Sequence, residues 1–107
     1  MPVSSCHSKE EFEAALEKAG SNLVIVDFYT TWCGPCKRIA PQIAALSETE
    51  MKCCFLKVDA EECEELAKKY HVDAFPTFLL FKKGKKCSSV KGADLAKLKR
   101  KIAKYTA

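Results

Sequence analysis

The chain has 107 residues, of which 48% are hydrophobic and 30% charged, the balance of one soluble domain (residues 1–107) that can bury a core without disulfide staples. Apolar runs such as Leu23–Val26 are far too short to cross a bilayer, and the opening residues lack the apolar stretch of a secretory signal, so a cytoplasmic chain with no membrane partner is expected. The net charge of +4 hides a split, with ten basic residues and one acid from Lys82 onward against eight bases and thirteen acids before it; the basic part reads as a solvated surface, with steering toward acidic partner surfaces as the functional alternative, and the lack of an aromatic residue among those lysines until Tyr105 argues against nucleic acid as a partner.

The first residues, Pro2–Cys6, make at best a weak edge strand. Ser8 followed by Glu11 is a capping box that opens a helix with Phe12 and Leu16 on its apolar stripe and Gly20 as its stop. Residues 22–29 are apolar on both parities, which fits a strand buried on both faces. A second helix follows Thr30–Pro35, with Ile39, Ile43 and Leu46 on one face, Pro35 in its first turn and Pro41 inside it. Residues 53–59 predict a second central strand, and residues 61–70 an amphipathic helix rich in acids. Beyond Pro76 the pattern is strand, turn at Gly84, strand, and then a closing helix with Leu95, Leu98 and Ile102 on its seam. The class is α/β: a central mixed sheet of four to five strands, with helices on both faces.

Seven cysteines are present, an odd number without the spacing of a small secreted framework, so most are expected to be free and buried. Cys33 and Cys36 differ from the rest. They lie where a buried strand ends and a helix begins, three residues apart, close enough for their sulfurs to join and part. Unpaired N–H groups at a helix N-terminus favour an anion, and the thiolate is the reactive form of cysteine. Gly34 and Pro35 supply the tight turn between them, and Trp32 offers a flat apolar surface beside the sulfur. Cys53 and Cys54, adjacent in a strand, point to opposite faces. Cys63 is placed in the acidic helix, where carboxylates raise its pKa, and Cys6 and Cys87 are expected near the surface. The rival use of C-x-x-C, half a zinc site, lacks a second C-x-x-C, and His7 and His71 are isolated; no metal is expected.

The segments 31–37, TWCGPCK, and 73–86, DAFPTFLLFKKGKK, resemble the thioredoxin family, and the likeness extends over nearly the whole chain. It implies the thioredoxin fold and a protein-disulfide reductase working by dithiol–disulfide exchange, with Cys33 as nucleophile, Cys36 as resolving thiol and Asp27 as the acid–base group for Cys36. Lys57 matches the family lysine near that aspartate. Pro76 matches the family cis-proline, and with Trp32, Phe75, Gly92 and Ala93 it would form a shallow groove for an extended substrate segment. Gly34 and Pro35 tune the pair. Cys63 resembles an extra cysteine of animal thioredoxins and is a candidate regulatory thiol, whereas Phe75 stands where the family often carries a smaller side chain.

The resemblance further implies no bound cofactor, a Cys33–Cys36 disulfide recharged by an NADPH-dependent thioredoxin reductase, disulfide-containing protein substrates including peroxiredoxins, and a monomer. Two other readings remain open on the sequence. An oxidase or isomerase on the same fold is disfavoured by Gly34–Pro35, and a binding module would leave the redox pair incidental.

Overall fold

Alternation along the central strand sets the layering. A computed structural model describes residues 3–107. Among them the elements run β1 (Ser4–Cys6), α1 (Lys9–Ala19), β2 (Val24–Tyr29), α2 (Gly34–Thr49), β3 (Cys54–Asp59), α3 (Glu64–Lys69), β4 (Thr77–Lys82), β5 (Lys85–Lys91) and α4 (Leu95–Thr106). Val24, Val26 and Phe28 of β2 bury on one face of the sheet, with Phe12 of α1 and Leu66 and Ala67 of α3. Ile25 buries on the other, with Ile39 and Ile43 of α2 and Leu98 and Ile102 of α4. Both parities of β2 are apolar because helices cover both faces.

The five strands are ordered β1-β3-β2-β4-β5. β1 and β2 run parallel to β3, and β4 runs antiparallel to β2 and β5. The parallel half therefore delivers the C-terminal ends of β2 and β3 to the edge where β4 begins, and α2 starts at that edge. The β4–β5 turn falls on Lys83 and Gly84, both at positive φ (53° and 79°), the pairing that a two-residue hairpin turn of matching twist requires. The register slips between Leu80↔Ser88 and Phe81↔Lys86, leaving Cys87 as the extra residue of a bulge.

Local expectations hold, with corrections to the capping box and to several element boundaries. The weak edge strand is real but short, Ser4–Cys6 alongside β3; Pro2 lies outside the described residues. The capping box is displaced by one residue: Ser8 Oγ accepts from Glu11 N at 3.1 Å, but the Glu11 carboxylate accepts from His7 N at 3.0 Å. The acidic helix starts later than residue 61. The Asp59 carboxylate accepts from Glu61 N at 2.9 Å and the Asp59 carbonyl from Cys63 N at 2.9 Å, closing a local turn that competes with helix. Cys63 is therefore the residue that caps α3, not one within it. Cys53 likewise sits just before β3, and it and Cys54 do join opposite faces. Pro41 lies inside α2 without ending it.

The Phe81 ring packs edge-on against Phe12 at 5.5 Å and Tyr70 at 5.3 Å, tying α1, β4 and the end of α3 together. Phe81→Ala is expected to lower unfolding stability by about 3–5 kcal/mol, the usual cost of deleting a fully buried phenyl ring. Urea denaturation followed by far-ultraviolet circular dichroism measures it, and a loss under about 1 kcal/mol would show that this cluster does not join the helices to the sheet.

Candidate redox site at the start of α2

β2 ends at Tyr29, and six residues later the chain is already helical. Cys33 is the N-cap of α2, in extended backbone conformation, and Pro35 sits in the first turn. Its sulfur accepts from Cys36 N at 3.1 Å, and its carbonyl accepts from Lys37 N at 3.2 Å. One of the N–H groups that a helix start leaves unpaired is thus satisfied by sulfur. Reduction would leave this N–H and the helix dipole facing Cys33, an arrangement that favours its thiolate. Cys33 and Cys36 are joined as a disulfide with Cα atoms 5.3 Å apart, and both are buried, at 5% and 6% exposure. Cys36 lies on the stripe of α2 that carries Ile39 and Ile43 toward the sheet.

Asp27 lies on that same side of the sheet. Register places it between Lys57 of β3 and Phe78 of β4. It is 7% exposed, and its Oδ1 has no hydrogen-bond partner in the protein. Burial pushes its carboxyl up to about 6, and the Lys57 ammonium opposes this only in part. Asp27, Cys36, Lys57 and Tyr29 line one cleft of about 340 Å³. The Lys57 ammonium stands 4.5 Å over the Tyr29 ring, which holds it beside the cleft.

On the other side of the turn, Trp32 is 67% exposed and meets Phe75 edge-on at 6.3 Å. Together with Ala67, Lys68 and Val72 they wall a shallow groove of about 250 Å³. The Phe75–Pro76 peptide is cis, and the Pro76 carbonyl accepts from Gly92 N at 2.8 Å. Gly92 has φ 89°, and a side chain there would meet nothing within 4 Å; backbone conformation, not crowding, requires glycine. Ala93 follows at the surface.

The family model described as Thioredoxin matches residues 3–104. Human thioredoxin is 45% identical over 100 residues, spanning 94% of this chain and 95% of the relative. Rice H-type thioredoxin is 44% identical over 105 residues, spanning 96% and 86%. The solved structure of reduced Schistosoma mansoni thioredoxin superposes with a TM-score of 0.94 at 42% identity, covering 98% of this chain and 99% of that one. The chain belongs to the thioredoxin family. It is a thiol–disulfide oxidoreductase that reduces protein disulfides by dithiol–disulfide exchange. Like the family at large it carries its electrons on a cysteine pair with no prosthetic group, takes disulfide substrates and is reduced by a thioredoxin reductase.

The thioredoxin resemblance drawn from the sequence did not extend to three residues that the structure brings to the site. Thr30 is buried with its hydroxyl unpartnered and lines both the cleft and the groove. Tyr29 follows Asp27 by two on the same strand, so strand parity would have placed it on the same face. Arg38 folds back until its Nη1 stands 3.3 Å from where a Cβ on Gly34 would be, bringing positive charge over the redox turn. Cys63 lies apart from this site, buried on the α1–α3 face. Cys6, expected near the surface, is buried there too, because β1 turns its last side chain inward; Cys87 is half-buried.

Asp27 also sets a pH dependence. Its native pKa of about 6 lies above the usual carboxylate value of 3.8, so between these values the folded state holds a proton that the unfolded chain releases. Stability from this group is therefore greatest below about pH 4 and falls as pH rises toward 6, levelling off above it. Asp27→Asn is expected to stabilise the oxidised protein by about 3 kcal/mol at pH 8 and by nothing measurable at pH 3. Paired urea titrations at the two pH values check this, and an equal effect at both would assign the change to packing instead.

Proposed function

We propose that Cys33 is the attacking thiolate, Cys36 the resolving thiol and Asp27 the group that takes the proton from Cys36. The observation that carries this reading is the buried, unpartnered Asp27 carboxyl sharing one cleft with Cys36. The Cys33 thiolate attacks a sulfur of the substrate disulfide and expels the other sulfur, leaving a mixed disulfide. Asp27, ionised above about pH 6, accepts the Cys36 proton, and Cys36 then attacks Cys33 and frees the second substrate thiol. Lys57 keeps the Asp27 carboxylate accessible near neutral pH by opposing its burial. Gly34 and Pro35 hold the pair at the spacing that exchange needs.

Trp32, Phe75, Pro76, Gly92 and Ala93 form the substrate-facing surface in this reading, and an extended segment of the target lies along it. The enzyme works as a monomer built of one domain, in the cytoplasm, recharged by an NADPH-dependent thioredoxin reductase and passing electrons to reductive enzymes such as peroxiredoxins. No described helix is long and apolar enough to cross a membrane. Among the described residues no cluster of three or more His, Cys, Asp or Glu side chains is arranged to hold a metal ion.

Cys33→Ser is expected to abolish turnover of a protein disulfide, whereas Cys36→Ser traps the substrate on Cys33 as a mixed disulfide visible by intact mass. Trapping on Cys36 in the Cys33→Ser variant would reverse the assigned order. Asp27→Asn is expected to slow release of the second substrate thiol about 100-fold at pH 7 while leaving the first attack within about threefold. Rapid-mixing kinetics reading Trp32 fluorescence separate the two steps, and equal slowing of both would remove Asp27 from the proton transfer. Equilibration in graded dithiol buffers is expected to give a reductant's potential, near the thioredoxin family value of about −270 mV; a result near about −120 mV would make the protein an oxidant.

A further inference from the structure

Five cysteines lie outside the redox pair, and two of them meet. Cys6 ends β1 and Cys63 caps α3. Both are buried, at 4% and 6% exposure, in the same apolar cluster. The Cys63 sulfur stands 3.9 Å from the Cys6 carbonyl oxygen, within one side-chain length of the Cys6 backbone. A bond between the two sulfurs requires their Cα atoms to stand about 4.4–6.8 Å apart. Unlike the sulfur of Cys33, that of Cys63 makes no capping hydrogen bond to its helix. The flanking residues are held together as well: His7 Nδ1 lies 2.9 Å from Glu62 Oε1.

A cleft of about 360 Å³ lies between the start of α1 and the start of α3, and Cys63 is part of its wall. Five carboxylates, Glu10, Glu61, Glu62, Glu64 and Glu65, line it against the ammonium of Lys9 and the imidazole of His7, which pairs with Glu62. That field attracts a cation and repels an anion.

We propose that Cys6 and Cys63 form a second intramolecular disulfide by exchange with a small cationic disulfide that enters this acidic cleft. Cys63, as thiolate, attacks one sulfur of the small disulfide. The S–S bond breaks, one small thiolate leaves and takes up a proton, and Cys63 carries the other half as a mixed disulfide. Cys6 then loses its proton, attacks the Cys63 sulfur and expels the second small thiolate, which is protonated in turn. The two protein thiols lose two electrons and two protons, and the small disulfide gains both to become two thiols. Exchange is slower than at Cys33–Cys36, because burial keeps both thiols protonated, reinforced at Cys63 by Glu62, Asp59 and Glu11 and at Cys6 by Glu11. The new bond ties the edge strand to the helix whose Glu64, Ala67 and Lys68 wall the groove beside Trp32 and Phe75.

The full-length chain, treated with cystamine, quenched by alkylation and digested with trypsin without reduction, provides the test. The expected product is the peptide of residues 1–9 joined to that of residues 58–68, appearing after Cys33–Cys36 is fully oxidised. Oxidised glutathione, an anionic disulfide, is expected to make the same product roughly tenfold more slowly at low salt, the gap closing at high salt. Cys6→Ser is expected to hold the cysteamine adduct on Cys63 without resolving it; should that variant not fold, the transient adduct is followed by intact mass in the unaltered chain. Adducts that persist on Cys63 in the unaltered chain, or free Cys6 and Cys63 thiols alkylated only after unfolding, overturn the pairing. Equal rates with both disulfides overturn entry through the acidic cleft.

Discussion

The first turn of α2 leaves backbone N–H groups that no carbonyl can reach, and the Cys33 sulfur accepts from one of them, that of Cys36. Most of the site depends on this contact. A sulfur used as a helix cap is held at a fixed place and in a field that favours negative charge, so the interaction that ends the strand-to-helix connection also favours a thiolate at Cys33. Pro35 in the first turn carries no N–H that would need an acceptor of its own. Ile39 and Ile43, buried against the sheet, fix the direction in which α2 leaves, and with it the placing of Cys36 on the cleft that Asp27 lines.

Asp27 works against stability within the same design. A carboxyl in the middle of the central strand, between a lysine and a phenylalanine in register, is where an apolar residue would pack best. Burial raises its pKa to about 6, which places its titration close to neutral pH and makes it able to receive a proton there. Lys57 limits the rise, and the Tyr29 ring beneath the ammonium keeps that lysine in place. Two-sided burial of β2 thus has two effects: Val24–Phe28 contribute to both halves of the core, and one position in that run acquires a tuned carboxyl.

Much of this was legible before any coordinates. Both-parity hydrophobicity in residues 22–29 and 53–59 marks central strands because parallel strands under helices have no solvent face; the place of the Cys33–Cys36 pair at a helix start follows from residue types and spacing, and the exchange chemistry from the thioredoxin resemblance. The start of α3 was not legible. The acidic run 61–65 has helix-forming composition, but the Asp59 side chain bonds the backbone two residues on and delays the helix to Glu64. Nor was the burial of Cys6, because β1 is three residues long and takes its orientation wholly from pairing with β3. Thr30 and Arg38 escaped notice for a related reason: their proximity to the site is created by the tertiary turn between β2 and α2, which no local period encodes.

Cys33 and Cys63 make an internal comparison that separates position from chemistry. Both are N-cap residues, and both are buried beside the start of a helix. Cys33 caps a helix of 16 residues, accepts an N–H on its sulfur and has Lys37 and Arg38 just beyond its partner. Cys63 caps a helix of six residues, makes no such bond, and sits among Asp59, Glu62 and Glu11, whose charges add to burial in raising its pKa. A helix start is therefore not enough to activate a cysteine. The sulfur must itself be the acceptor of the free N–H, and the charges around it must favour the thiolate. The asymmetry of charge along the chain contributes to this difference, since it surrounds Cys63 with the acids of residues 59–65 while leaving basic side chains next to Cys36.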